Sequence, residues 1–313
     1  MCKKERMEKF INDNESLIDL KLKTNLLASL LEEEEEFNKI SARMKDSGRF
    51  IKTINQHGRF NIIDSAASSI RYEPYSNRII RRRIYAKFFN NLPQVINEYP
   101  NHEWYFMTLT TKDCHVLEVR KTLDILNTSL KKLLMGDKFS KYFKQNGQHY
   151  GNCGYFKALE VSDTEYSNEM CRPHIHVLLH LPKNFGYSKN YVSREKLKKL
   201  WLSALNMQDN YKISVDMQKI DFDDTHEQII NLCNVASYMM KHNSIDLLKD
   251  KDFTIEYLRQ ITGKNLHSSG GTLKDINKNN SKYIKEEMDS DNINTLKFND
   301  YSSKYKLVTP SLS

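Results

Sequence analysis

The sequence predicts an α+β fold, a mostly antiparallel sheet with helices on its faces, preceded by a helical and basic N-terminal region. Three observations carry this expectation. Beyond Pro100, stretches rich in aromatic and β-branched residues alternate with stretches of helical periodicity. The two middle strand segments are joined by Ser162 to Arg172, a loop of turn-forming and charged residues short enough for an antiparallel pair. Ahead of Pro100 come leucines at helical spacing and then a basic, aromatic stretch.

Taken in order, residues 1 to about 45 carry Leu17, Leu20, Leu27, Leu30 and Leu31 near helical spacing, then the run Glu32 to Glu36. One or two amphipathic helices are expected, with the acidic run on a solvated face. From Arg71 to Lys87, the residues Arg71, Arg78, Arg81, Arg82, Arg83 and Lys87 stand among Tyr72, Tyr75, Tyr85, Phe88 and Phe89. Such interleaving suits phosphate contact and base stacking, and it equally fits a helix with a basic outer face and aromatics packed inward. Trp104 to Thr110 reads as the first strand, and Val116 to Met135 as a helix built on Val119, Leu123, Leu126, Leu130, Leu133 and Leu134. Tyr155 to Val161 and His174 to Leu181 follow as strands, Ser193 to Leu205 as a helix, Tyr211 to Met217 as a fourth strand and Glu227 to Lys241 as a helix. Beyond Thr262 the Ser, Asn, Lys and Asp content rises and periodicity fades, so a loosely ordered end is expected.

With 313 residues the chain can bury a proper core without staples. A formal charge of +8 makes an anionic partner plausible without naming one. The five cysteines, Cys2, Cys114, Cys153, Cys171 and Cys233, lie far apart with no C-x-x-C pair, which argues against a disulfide framework and fits a reducing cytosol. No apolar run approaches the roughly 20 residues of a membrane span, so a cytoplasmic protein is expected.

The sharpest chemical signal is Arg172-Pro173-His174-Ile175-His176-Val177. Side chains alternate across a strand, so His174 and His176 project from one face and can share a metal ion. Two histidines on a polar strand face also arise by accident. A hairpin pairing would bring Glu160 beside them, completing two nitrogens and an oxygen able to polarise a phosphate oxygen. On the helix at 227–241, residues three and four apart place Asn234, Tyr238 and Lys241 on one face, with Val235 and Met239 turned to the core. A phenol of pKa about 10 is only ~0.1% ionised at neutral pH and needs a nearby cation to act as a nucleophile, a role open to Lys241. With 17 tyrosines in the chain, composition alone does not select Tyr238.

Four stretches in order, Phe106 to Thr110, Phe156 to Val161, Pro173 to Leu179 and Ala236 to Lys241, resemble the motifs of the Rep family of rolling-circle plasmid initiators, within the histidine-hydrophobe-histidine (HUH) endonucleases. Leu130 to Leu133 and Gly270 to Lys274 resemble it too, and the likeness spans roughly Ser68 to Asp275, about two thirds of the chain. The resemblance implies an HUH-type antiparallel sheet with flanking helices. It implies His174, His176 and Glu160 as ligands of Mg2+ or Mn2+, Tyr238 as the nicking nucleophile and Lys241 as its companion. It further implies a covalent 5′-phosphotyrosine intermediate, plasmid origin DNA as partner, and a host helicase and polymerase. The chain then divides into a helical segment at 1–45, a basic DNA-binding region at 46–100 presenting Arg78, Arg81, Arg82, Arg83 and Lys87, a nicking domain at 101–275 and a polar tail at 276–313.

Two departures from the family pattern stand out. Where members carry a Cys-Pro-x-Cys cluster, this chain has Glu73-Pro74-Tyr75-Ser76, so no structural zinc is expected. Where some members place a glutamate four residues before the tyrosine, this chain has Asn234, whose amide cannot take a proton at neutral pH. The competing readings are another HUH enzyme, a transposase or relaxase, and a non-catalytic plasmid DNA-binding repressor.

Overall fold

The computed structural model describes residues 5, 9–10, 15–56, 59–135, 144–145, 148–149, 153–164, 169–183, 192–208, 211, 213–241, 246–248, 250–278 and 293–308. They fall in two compact units, Met1–Ile80 with Ser281–Ser313, and Arg81–Asn280.

In the first unit, helix α1 (Glu15–Leu31) buries Leu17, Lys21, Thr24, Leu27, Ala28 and Leu31, a stripe recurring every three or four residues. Two of those positions are polar, which is why a pattern drawn from leucines alone gives only part of the face. The run Glu32 to Glu36 is mostly exposed, as expected of a solvated face. Helix α2 (Asn38–Asp46) lies against α1, and its buried Ser41 hydroxyl donates to the Ala28 carbonyl at 2.7 Å. An antiparallel hairpin then follows, β1 (Phe50–Gln56) and β2 (Arg59–Ser65), in a stretch where the sequence signalled no strand.

Helix α3 (Pro74–Glu98) begins at Glu73, whose carboxylate accepts from the Ser76 amide at 2.9 Å while Pro74 takes the first helical position. Glu73 also accepts from the Thr24 hydroxyl, and the Ser76 hydroxyl bonds Ser47 and Ser68. Tyr75 is buried with Leu17 and Ile51, its hydroxyl 2.6 Å from that of Ser65. Every side chain of the Glu73–Ser76 tetrapeptide except that of Pro74 is thus engaged in starting this helix or filling the core beneath it. Gly48 closes over the Tyr75 ring at φ +70°, where an added Cβ would stand 2.7 Å from a ring carbon.

In the second unit the chain forms β3 (His102–Thr110), β4 (Cys114–His115), α4 (Val119–Met135), β5 (Gly154–Asp163) and β6 (Met170–Pro182). It continues through α5 (Arg194–Leu205), β7 (Val215–Ile220), α6 (Thr225–Met239), α7 (Lys251–Ile261) and β8 (His267–Gly270). The strands order as β8-β5-β6-β3-β7, all antiparallel, with β4 pairing the start of β6. The α+β sheet with flanking helices is therefore the fold. Strand β7 begins four residues later than the sequence pattern placed it, because Ser214 is held in mutual bonds with Thr110, its amide donating to Oγ1 at 2.7 Å and its carbonyl accepting from the Thr110 amide at 3.0 Å.

Met107, Leu109, Leu159, Ile175, Val177 and Leu179 are buried on one face of the sheet, with α4 packed on that side. The opposite face receives α6 over β5 and β6, and Phe88 of α3 meets Phe156 edge-on at 5.0 Å. At the end of β8, Gly271 has φ +60° and an added Cβ would lie 1.7 Å from the Cys153 carbonyl oxygen. Beside it Thr272 hydroxyl and His180 Nδ1 are 2.8 Å apart, and burial lowers the His180 imidazole to about 3. The Gly-Gly-Thr stretch serves close packing at this point.

The chain then returns to the first unit. Strand β9 (Ile293–Asn299) pairs with β1 and β10 (Lys304–Leu307) pairs with β9, giving the sheet β10-β9-β1-β2. This corrects the expectation of a loosely ordered polar end. Asn294, Leu296 and Phe298 turn inward in alternation, but only two of the three are apolar, so the period is faint in the sequence. Among the described residues no helix is long and apolar enough to cross a membrane.

Candidate metal centre

Strand register assembles the site. Glu160 on β5 stands opposite His174 on β6 and Ala158 opposite His176, while Thr110 and Thr108 of β3 face the same two histidines from the other side. Alternation then puts Glu160, His174, His176, Thr108 and Thr110 on one face of the sheet. The intervening Ile175 and Val177 are fully buried in the opposite core, which holds the strand in this register.

Glu160 and His176 are only 8% and 7% exposed, and both histidine Nε2 atoms converge on one carboxylate oxygen, Glu160 Oε2, at 3.3 Å from His174 and 3.0 Å from His176. One ligand atom from each of the three lies within 4.8 Å of the others. The outer nitrogens are engaged as well. His174 Nδ1 sits 3.1 Å from the Arg172 carbonyl, and His176 Nδ1 3.0 Å from Thr108 Oγ1. A carbonyl only accepts, so His174 donates from Nδ1, which leaves Nε2 aimed at the carboxylate. A divalent metal fits this donor set of two imidazoles and a carboxylate, each imidazole oriented through its far nitrogen. The ring of Phe106 lies nearly parallel to His176, centroids 5.4 Å apart, bracing it from the side.

Helix α6 begins at Asp224, whose side chain accepts from the Glu227 amide, while Glu227 accepts from the Asp223 amide. Leu232, Cys233, Ala236 and Met239 are buried and orient it. In its last turn Tyr238 remains 53% exposed, with its ring centroid 6.2 Å from that of His176. Asn234, one turn earlier, is exposed also. Lys241 lies past the end of the helix, its amide bonded to the Tyr238 carbonyl at 2.8 Å, so the shared helical face extends to Asn234 and Tyr238 but not to Lys241. Tyr257, by contrast, is buried in α7, and burial pushes its phenol well above the ordinary tyrosine range.

The basic residues part ways. Arg78 donates to the Ser16 hydroxyl within the first unit. In the second unit Arg81 Nε donates to the Ser237 carbonyl at 3.0 Å, placing a cation at the C-terminal end of α6, where the helix dipole favours it. Arg82 and Arg83 are exposed and Lys87 is half-buried. Of the interleaved aromatics, Tyr72, Tyr75 and Phe88 are buried, while Phe89 is exposed and Tyr85 half-buried. Sequence reasoning missed the roles of Thr108 and Phe106 beside His176 and of Arg81 behind Tyr238. The first two stand in register with the histidine strand, but only the observed pairing of β3 with β6 brings them out.

An antiparallel sheet with a histidine-histidine-carboxylate cluster able to hold a metal ion, beneath an exposed tyrosine, defines the class of protein, and similarity to known proteins narrows it. Residues 69–308 match the replication protein family. A replication protein from Staphylococcus aureus is 27% identical over 192 residues, covering 59% of this chain and 77% of that one. A protein rep from Streptococcus pneumoniae serotype 2 is 28% identical over 129 residues, covering 41% of this chain and 37% of its own, and one from Lactiplantibacillus plantarum is 26% identical over 205 residues, covering 60% and 59%. No solved structure matches significantly. The chain belongs to the replication protein family, the Rep family that its motifs resemble.

Proposed function

We propose that this protein initiates rolling-circle plasmid replication in the cytoplasm by nicking one strand of the origin DNA and remaining attached to the 5′ end through Tyr238. The observation that carries this reading is the exposed Tyr238 ring standing 6.2 Å from His176 of the Glu160–His174–His176 cluster. Mg2+ or Mn2+ held by those three residues would polarise a non-bridging phosphate oxygen and stabilise charge at the scissile phosphate.

The chain's own groups do the rest. Glu160 sets both imidazole Nε2 atoms on one point, and Thr108 and the Arg172 carbonyl hold their far sides. The phenol of Tyr238 gives up its proton to solvent and its oxygen attacks phosphorus, a new P–O bond forms, and the bond to the 3′ oxygen breaks as that oxygen takes up a proton from solvent, so that protons balance. One phosphodiester replaces another, which conserves the bond for religation, and the released 3′-OH serves as primer. Lys241 lends positive charge beside the phosphate, and Arg82, Arg83 and Lys87 supply affinity for the backbone. A helicase and a polymerase of the host would then extend from the nick.

The test incubates supercoiled origin plasmid with wild-type and Tyr238→Phe protein, with Mg2+ or with excess EDTA. A denaturant-resistant protein–DNA adduct on the 5′ end is expected from the wild type with metal alone. Adduct formation by Tyr238→Phe would defeat the nucleophile assignment, nicking in EDTA would defeat the metal assignment, and DNA binding without any cleavage would leave a repressor.

A further inference from the structure

Helix α3 has a second kind of surface beside its packed one. Ile84, Phe88, Leu92 and Val95 are buried at helical spacing and form its core face. Arg81, Tyr85 and Phe89 recur every four residues along one flank, and Arg82, a turn before Tyr85 and two turns before Phe89, lies on that side as well. Arg83 and Lys87 fall on the far side of the helix. The Tyr85 and Phe89 rings are within 10° of parallel with centroids 6.5 Å apart, and Phe89 is 45% exposed. The lower end of this flank meets the nucleophile helix, where Arg81 holds the carbonyl of Ser237, the residue before Tyr238. From there to Phe89 is about 12 Å of helix.

We infer that this flank, Arg82 with Tyr85 and Phe89, is a stacking platform for unpaired bases of the strand that is held at Tyr238. The proposal rests on the nicking reading above and adds the form of DNA that the protein grips beside the cut. Large exposed rings cost solvation unless something flat covers them, and every base offers a π face irrespective of sequence. The exposed guanidinium of Arg82 stands where it can neutralise a phosphate of the same strand. In a duplex the bases already stack on one another, so the platform engages DNA only where the strands have parted. It is continuous with the nucleophile through the bond from Arg81 to Ser237, so a strand lying on it would pass to Tyr238.

The experiment measures binding of a labelled single-stranded oligonucleotide of origin sequence, and of the same oligonucleotide annealed to its complement, across a range of salt. Phe89→Ala should weaken single-strand binding about five-fold or more with the salt slope unchanged, and leave duplex binding near wild type. Phe89→Leu, which keeps bulk without an aromatic face, should lose affinity likewise. Arg82→Ala should reduce the salt slope by about one. Abasic nucleotides walked along the strand should reveal a position whose effect vanishes in Phe89→Ala. Unchanged single-strand affinity in Phe89→Ala, or an equal loss on duplex, would overturn the platform. Adduct formation by the wild type is scored separately, so absence of an adduct would sink the nicking reading while the binding comparison still decides the platform.

Discussion

Replacing Thr108 with valine tests how the metal site is held. The substitution keeps the size and β-branching of the strand residue and deletes the hydroxyl that stands 3.0 Å from His176 Nδ1. Partners of this outer kind contribute about 10–100-fold to metal affinity, about 1.4–2.7 kcal/mol. Two features of the site place the effect near the lower figure. A hydrogen bond of ordinary length is worth about 1 kcal/mol, and the Phe106 ring stacked on His176 still restrains it when the hydroxyl is gone. Thr108→Val should therefore bind Mn2+ about ten-fold more weakly by calorimetric titration, while its metal-free thermal stability stays within about 1 kcal/mol of the wild type, as Thr108 is only half-buried. Unchanged Mn2+ affinity would refute the claim that Thr108 orients the ligand. A large loss of metal-free stability would instead make Thr108 a structural residue of β3.

Other outcomes follow from single residues. Lys21 is 1% exposed, and burial lowers its ammonium to about 8 from an ordinary 10.5. Below pH 8 both folded and unfolded chains carry that proton, whereas between about 8 and 10.5 the unfolded chain binds more, so stability should rise with pH across this window and the rise should vanish in Lys21→Met, read by denaturant unfolding at pH 8 and pH 9.5. Gly271→Ala should destabilise by more than about 2 kcal/mol in the same assay, since it combines a positive φ with a clash against the Cys153 carbonyl. Tyr257→Phe should form the DNA adduct within two-fold of the wild-type rate in a quenched time course, roughly the scatter expected of a buried phenol that takes no part. Asn234→Glu should leave the first nick intact and raise the release of protein from DNA, measured by decay of the adduct after a second strand is supplied; no change would mean that this position does not activate water here.

Periodicity carried most of the second unit. The alternation of His174, Ile175, His176 and Val177 and the short connection expected at Ser162 to Arg172 were enough to foresee a hairpin that brings Glu160 beside the imidazoles. The strands nevertheless run on to Asp163 and from Met170, so both ends of that connection are paired. What stayed hidden depends on partners distant in sequence. Thr108 acquires meaning only through the pairing of β3 with β6, and Arg81 only through Ser237, 156 residues away. The first unit was less legible for a different reason. Its buried positions include Lys21, Thr24, Ser41, Thr53, Glu73, Ser76 and Asn294, and Lys21, Thr24, Ser41, Glu73 and Ser76 are bonded to one another or to neighbouring polar groups, so the apolar period that marks a core is diluted with polar residues. Cys-Pro-x-Cys gave a template for reading residues 73–76, but the carboxylate and hydroxyl there are spent on helix initiation and on the serine cluster beneath it.

The sheet β10-β9-β1-β2 pairs Ile54 with Ile293, so its two halves leave the ribosome far apart in time. At about 5–20 residues per second the hairpin of β1 and β2 waits on the order of 10–50 s for its third strand. Throughout that interval β1 presents an unpaired edge, a hazard that native sheets ordinarily cover. The strands of the second unit, all contained between residues 102 and 270, are complete before β9 exists. Synthesis thus completes the sheet that carries Glu160, His174 and His176 first and the N-terminal sheet last, and a nascent chain cut short between residues 270 and 293 would carry the former without the latter.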